Sequence, residues 1–362
     1  METQELRKVE ILQNKIDNLL FEKVNKNQEI LDKIEKDGAF IEDYILPLGP
    51  TSPINFEANG RVSILFNDEK MNFHSHALSQ LGLKFDIPTK YVNYLNDSEW
   101  GRQLLKNIFT EHKNNIPRNK ILLRTVGNEA RAVLSDRYLR LDSNLIYQKF
   151  IENMISNGAK IYDAFYSETK TYMSAIYPKV FSIETENNGI VHSVFGTRIA
   201  NSDFGDGALD LRSFQMNVVC LNGMVSNTEL KQVHLGARLN DNLNFSRRTY
   251  ELDTKTKVSA VNDISNNLLS AEKIMEQVSK IKTASAQSID IDNEIKKLSK
   301  TQMLKDEIQL VGKKLMANNP EDGLEGKATK WKLSQAITAV ANDIGNRRKY
   351  ELDEIAGKLI NL

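Results

Sequence analysis

Residues 201–236, NSDFGDGALDLRSFQMNVVCLNGMVSNTELKQVHLG, carry the chain's only cysteine and its densest run of small turn-forming residues. Asn201, Ser202 and Asp203, followed by Gly205, Asp206 and Gly207, form a turn cluster, because Asn, Asp and Gly tolerate positive φ and short oxygen-bearing side chains cap nearby amides. Leu209, Leu211, Phe214, Met216, Val218 and Val219 then spell an apolar strand, and Asn222-Gly223 marks a tight turn directly after it. Cys220 falls at the end of that buried strand.

Working outward toward the N-terminus, the pattern stays rich in strands. Residues 121–126 and 130–134 read as a hairpin around Gly127-Asn128, and 171–177, 179–184 and 189–198 as further strands, the last two joined at Asn187-Asn188-Gly189. His74-Ser75-His76 leads into a short helix stopped at Gly82, Pro88 opens another, residues 100–111 are amphipathic, and 145–155 end at Asn157-Gly158. Pro47, Pro50 and Pro53 with Gly49 mark residues 45–60 as a linker and first boundary. Before it, Leu6, Val9, Leu12, Ile16, Leu19, Leu20, Ile30, Leu31 and Ile34 recur at three- and four-residue steps, an amphipathic helix over 4–37. Such a helix either docks on its own domain or holds a partner.

Toward the C-terminus the texture turns helical. Ile264, Leu268, Ala271, Ile274, Val278 and Ile281 keep near-heptad spacing, and an apolar stripe resumes from Ile295 to Leu315, predicting a helical hairpin or coiled-coil arm. The expectation is α+β: a central mostly antiparallel sheet with packed helices and a long helical C-terminal part. Its divisions are 1–44 (N-terminal helix), 54–258 (core), 259–317 (hairpin or arm) and 318–362 (helices packing on the core).

With 48 basic and 48 acidic side chains, net charge is zero, which leaves only local patches for a polyanion. A single cysteine excludes an internal disulfide and fits a reducing compartment. There is no run of about 18 apolar residues and no apolar signal core, so a cytoplasmic protein is expected.

Candidate chemistry is sparse. Cys220 with His192 or His234 offers a thiol and an imidazole, but a cysteine flanked by Val218, Val219 and Leu221 reads as a small buried hydrophobe. His74 and His76 would share a strand face yet lack a third metal ligand. Asp203, Asp206 and Asp210 do not follow a calcium-loop pattern. P-loop, dinucleotide, HExxH and GxSxG motifs are absent, so no catalytic residue, metal or cofactor is assigned. Between Gly101 and Arg140, however, nine cations face three carboxylates, with Trp100, Phe109 and Tyr138 interleaved. Cations that neutralise phosphates beside aromatics that stack on bases are what single-strand binding requires. Arg118, Lys120, Arg124, Arg131, Arg137 and Tyr138 are the candidate contacts, with Arg238, Arg247 and Arg248 as possible additions; a solvated face with internal ion pairs is the competing reading.

Three stretches together, VGNEARAVLSDRYLRLDSN at 126–144, IANSDFGDGALDLRSFQMNVVCLNGMVSNTELKQVHLG at 199–236 and WKLSQAITAVANDIGNRRKYELDEIAG at 331–357, resemble the phage/plasmid-like family of unknown function, number nine-three-two among the catalogued unknown domains. Asp203-Phe204 stands where that family has Glu-Val, and Leu221 where it has Thr. The resemblance spans roughly residues 55 to 360 and implies a mobile-element origin, a bacterial host and a shared α+β fold, with no reaction attached. Its motif turns are Asn201, Asp203, Gly205, Asn222, Gly223 and His234. Two functions are expected: a non-enzymatic single-stranded nucleic-acid-binding accessory of replication or recombination, or an interaction protein that forms a homo-oligomer or holds a protein partner through its terminal helices.

Overall fold

The computed structural model describes residues 2–66, 69–115, 119–139, 141–226, 229–232 and 247–361. Arg118, Arg140, His234 and Arg238 lie outside the described residues. The protein is α+β, and its strands divide between two sheets.

The first sheet holds β1 (Ile41–Leu48), β2 (Ile54–Phe56), β3 (Val62–Phe66), β4 (Glu69–Phe73), β5 (Asn119–Val126) and β6 (Glu129–Ser135), in the order β1-β5-β6-β4-β3-β2. All its pairs are antiparallel except β4 with β6. Helices α2 (Ser75–Lys84), α3 (Thr89–Asn96) and α4 (Glu99–Asn115) connect β4 to β5 and bury Leu81, Val92, Leu95, Leu105 and Phe109 against one face. The prolines near residue 50 predict a linker, but β1 runs through Pro47. Proline lacks the N–H of an interior ladder and is tolerated on an edge strand, which is where β1 lies.

The second sheet follows the path β12 (Asn222–Val225), β11 (Leu209–Asn217), β10 (Ile190–Asn201), β8 (Thr171–Ile176), β7 (Lys160–Tyr166), with β9 (Phe181–Glu184) on β10 and β13 (Leu230–Gln232) on β11. The apolar strand of the opening stretch is therefore central to its sheet. Helix α1 (Glu2–Ala39) lays Leu12, Ile16 and Leu20 on one face with Ile176, Val194, Phe214 and Met216. Burying each of those side chains stabilises the fold by about 1.5–3 kcal/mol. Asn27 reaches the rim strand, donating to the Ile161 carbonyl and accepting from the Ala164 amide.

The opposite face is covered in two parts. Helices α5 (Ser143–Ser156) and α6 (Arg247–Leu268) pack on Met173, Ile199 and Leu211. Phe195 and Met224 belong to a separate cluster with α7 (Ala271–Ala286), α9 (Lys305–Ala317), α10 (Lys330–Ile344) and α11 (Asn346–Leu359). Segment 259–317 thus folds back on the body as the end of α6 with α7, α8 (Ile291–Leu298) and α9, rather than projecting as an arm. The reason is α10. From Trp331 to Ala341 it is buried all round, so Val311, Leu315 and Ile281 must pack against it instead of against each other alone.

Candidate functional site

The three stretches that carry the family resemblance meet around the two ends of β11. At the first end, residues 201–207 turn between β10 and β11 in the seam between the sheets. Asn201 Nδ2 donates to the Leu141 carbonyl at 3.1 Å and to Ser143 Oγ at 2.9 Å. Ser202 Oγ donates to the Thr169 carbonyl at 2.6 Å and accepts from the Phe204 and Asp206 amides. Asp203 Oδ1 accepts the Ser143 amide at 3.0 Å, and the Phe204 carbonyl lies 2.9 Å from both His76 Nε2 and Gln80 Nε2. Asp206 takes Thr169 and both terminal nitrogens of Arg347, which α11 delivers. Gly205 has φ +73°, a left-handed conformation that favours glycine, and a Cβ there would also crowd Leu134 Cδ2 at 2.4 Å.

Arg124, a proposed phosphate contact, is part of this turn. It is 0% exposed, its Nε donates to Asp43 Oδ1 at 2.9 Å, and its Nη1 donates to the Asp203 carbonyl at 2.8 Å. Burial works against the guanidinium charge, but the neighbouring acidic groups together, Asp43 foremost, outweigh it, so the group is held charged. Its plane lies over the Tyr138 ring, 5.5 Å from the centroid, and the Tyr138 hydroxyl donates to the Ser202 carbonyl. Burial pushes the Asp203 carboxyl up to about 6, with Arg124 pulling it down and Asp142 pushing it further up.

Arg131 is also engaged internally, with Asp37 and Glu129 each at 2.8 Å. Arg124, Arg131 and Tyr138 therefore do not form a nucleic-acid surface, because each is committed to closing the seam. Lys113 is likewise turned onto the Ser52 and Ile54 carbonyls. Lys120 and Arg137 remain at the surface, at the same end of the β5–β6 hairpin, where Ile121 pairs with Ser135. The competing reading of internal ion pairs holds for Arg124 with Asp43 and for Arg131 with Asp37 and Glu129; Asp142 is only a distant partner of Arg124, at 3.7 Å.

The second end of β11 is braced by neutral amides. The chain turns over Val218–Leu221, with Leu221 at φ +58°, and Asn222-Gly223 already belongs to β12. Asn222 Nδ2 donates to the carbonyls of Asp322 (3.2 Å) and Gln335 (3.3 Å), and its Oδ1 accepts from Asn342 at 2.8 Å. Asn217 Nδ2 donates to Gln335 Oε1 at 3.2 Å. A Cβ on Gly223 would stand 2.7 Å from the Phe214 ring, so this glycine serves close approach.

Cys220 lies in this second turn with its Sγ 3.7 Å from Gln335 Oε1, and burial pushes its thiol up to about 12. A thiol so disfavoured as thiolate is no nucleophile at neutral pH. The His192 ring nitrogens are directed at Ser182 Oγ (3.1 Å) and Glu5 (3.4 Å) rather than at the thiol, and burial lowers its pKa. His74 is not on a strand with His76 as the sequence suggested. Its Nδ1 caps the His76 amide at the start of α2, and its Nε2 lies 3.4 Å from Glu168. Among the described residues no group of three His, Cys, Asp or Glu side chains is arranged to hold a metal ion.

A third cluster went unread in the sequence. Arg198 Nη1 donates to the buried Asp353 at 2.9 Å while its guanidinium lies between the Phe214 and Tyr350 rings, 4.7 and 4.9 Å from their centroids. Tyr350 and Lys23 both bond Asp163, at 2.6 and 2.7 Å. The partners come from α1, β7, β10 and α11, and no local spacing links them. The one available signal is the isolated charges inside otherwise apolar strands, Asp163 in KIYDAFY and Arg198 in IVHSVFGTRIAN.

Comparison with known proteins returned no matching family model, no matching curated protein and no matching solved structure.

Proposed function

We propose that the protein works by association rather than catalysis, as an interaction protein that pairs with a second copy of itself along the outer side of α1. The observation that carries this reading is the double character of that helix. One stripe, Leu12, Ile16 and Leu20, is spent on the second sheet, while Leu6 (66%), Ile11 (61%), Phe21 (82%) and Val24 (57%) stay exposed. Exposed single apolar residues are ordinary, but four on one helix, with an aromatic nearly bare, are a contact surface. At 38 residues α1 is roughly 57 Å long, enough for an extended helix-to-helix contact. Zero net charge sets no long-range repulsion between copies. The resemblance to the phage/plasmid-like family supplies the setting, a mobile element in the cytoplasm of a bacterial host. Among the described residues no helix is long and apolar enough to cross a membrane.

Sedimentation velocity over a wide concentration range tests this. The wild type should sediment increasingly as a dimer, and Phe21→Asp with Val24→Asp should sediment as a monomer with an unchanged melting temperature. A wild type that stays monomeric at every concentration ends the reading.

Single-stranded nucleic-acid binding is the second reading, favoured by the surface positions of Lys120 and Arg137 at one end of β5–β6 and by Arg118 and Arg140 beside them in sequence. Fluorescence anisotropy with labelled DNA and RNA strands should show salt-sensitive binding that Lys120→Glu with Arg137→Glu weakens. No binding at low salt removes it.

A further inference from the structure

Arg7 and Asp32 close a stripe along α1 that recurs at alternating four- and three-residue steps through Ile11, Asn18 and Phe21, and every residue on it is exposed. Such spacing keeps one line of side chains on one side of a helix, the pattern by which one helix seats on another. The line lies opposite Leu12, Ile16 and Leu20, which are packed on the second sheet. Gln28 Nε2 donates to Asp32 Oδ1 at 2.7 Å and steadies that carboxylate on the stripe.

The charges on and beside the stripe are divided between its ends. Arg7 and Lys8 stand near its start and Glu29 and Asp32 near its finish, all four exposed. Parallel pairing of two copies opposes equal residues, so Arg7 meets Arg7, Asp32 meets Asp32, and Asp17 falls beside Glu22, like charge against like. Antiparallel pairing about a two-fold axis midway between Asn18 and Phe21 instead opposes Arg7 to Asp32 and, within a residue of the same register, Lys8 to Glu29. Symmetry makes each of these pairs twice. On the other flank Glu10 and Asp17 meet Leu31 and Val24 of the second copy, so no like charges are opposed. Lys15 falls against Glu22, but its Nζ is already donated to the Val219 carbonyl at 2.6 Å, so it adds nothing to the count.

We infer that two copies of the chain pair antiparallel along α1, with Arg7 and Lys8 of each seated on Asp32 and Glu29 of the other. This rests on the reading of α1 as a self-association surface and adds its direction, its register and the residues that select the partner. At the centre Phe21 packs on Asn18 of the other copy, and Asn14 opposes Asn25, two carboxamides that can bond each other. Asparagine on a helix–helix seam fixes register at a cost in affinity, so the end charges carry the selection. Helices crossing at about 20° diverge toward their ends, where the long Arg7 and Lys8 side chains have the reach. The contact is the same patch on both copies, so it closes at two and does not propagate into a filament.

Sedimentation velocity on charge-reversed chains, read with disulfide crosslinking in a Cys220→Ala background, tests the arrangement. Arg7→Glu with Lys8→Glu should raise the dimer dissociation constant by about tenfold or more at low salt. Adding Glu29→Lys and Asp32→Lys to the same chain should restore it. A mixture of Asn14→Cys and Asn25→Cys chains should crosslink, whereas Asn14→Cys alone should not, its two copies lying roughly 16 Å apart along the axis. A dimer that crosslinks through Asn14→Cys alone, is indifferent to the first reversal or is not restored by the second overturns the antiparallel arrangement and leaves self-association through α1 standing. A wild type that is monomeric at every concentration removes the self-association reading itself, and this inference with it.

Discussion

The two turns that bound β11 do the same mechanical work with different chemistry. Residues 201–207 are fixed by ions, with Arg124, Asp43, Asp203, Asp206 and Arg347 joining the first sheet, the second sheet and α11. Residues 218–223 are fixed mainly by neutral amides, with Asn217, Asn222, Gln335 and Asn342 tying β11 and β12 to α10 and Lys15 adding one charged donor to the Val219 carbonyl. The ionic turn sits where two sheets meet and desolvate charge, so its strength depends on pH and on every partner being present. The amide turn sits between α10, the Asp322 carbonyl and α1, whose Lys15 donates to the Val219 carbonyl, and its strength is spread over individually modest bonds. A charged junction gives a steep, conditional connection, whereas an amide junction gives a shallow and unconditional one.

The largest effect should come from removing the cation of the ionic turn. Arg124→Ala removes the buried guanidinium from Asp43 and from the Asp203 carbonyl and is expected to cost about 3–5 kcal/mol in chemical denaturation. A loss below 1 kcal/mol would mean that the seam opens to water and that the two turns are alike after all. Next comes the pH dependence. The folded Asp203 carboxyl at about 6 lies above its ordinary 3.8, so the folded state binds the proton more tightly. Its stabilising contribution is complete below about pH 4 and is lost as pH rises through 6, a change of roughly 3 kcal/mol. Asp203→Asn should flatten that slope between pH 4 and 7, while Asn222→Ala should leave it intact. An unaltered slope in Asp203→Asn would assign the titration to another carboxylate. Asn222→Ala itself should cost about 2 kcal/mol at every pH, from the stranded Asp322 and Gln335 carbonyls and the Asn342 amide. Smallest of all, Arg137→Glu at the surface should stay within about 0.5 kcal/mol of the wild type, and a larger loss would place Arg137 in the seam with Arg124.

How much of this was legible follows the range of the interactions. Turn chemistry is local in part: Gly205 and the Ser202 hydroxyl, which accepts the Phe204 and Asp206 amides, mark the first turn from their own neighbours, whereas Asn201 and Asp203 reach Leu141 and Ser143 across the fold. The second turn was placed one step late: Leu221, not Asn222-Gly223, takes the left-handed conformation, and Gly223 is present for the Phe214 ring instead. β1 was hidden by Pro47, because propensity alone does not say whether a strand will lie at an edge. The cationic segment was visible as composition, but its partners Asp37 and Asp43 lie more than 80 residues away from Arg131 and Arg124 in sequence, and no spacing rule connects them. Near-heptad spacing in 264–281 reads as a helical hairpin or coiled-coil arm because periodicity shows that a face is apolar without naming what covers it.

The sequence by itself determined the α+β class, the hairpins, the long amphipathic α1 and the burial of the strand that leads into the Cys220 turn, all of which rest on patterns within one or two turns of chain. The tertiary structure alone decided that the strands split into two sheets, that α10 draws the C-terminal helices inward, and that the cations at 124 and 131 close a seam instead of facing solvent. Those outcomes depend on desolvation and on pairing between distant segments, whose energies exist only once the chain has brought them together.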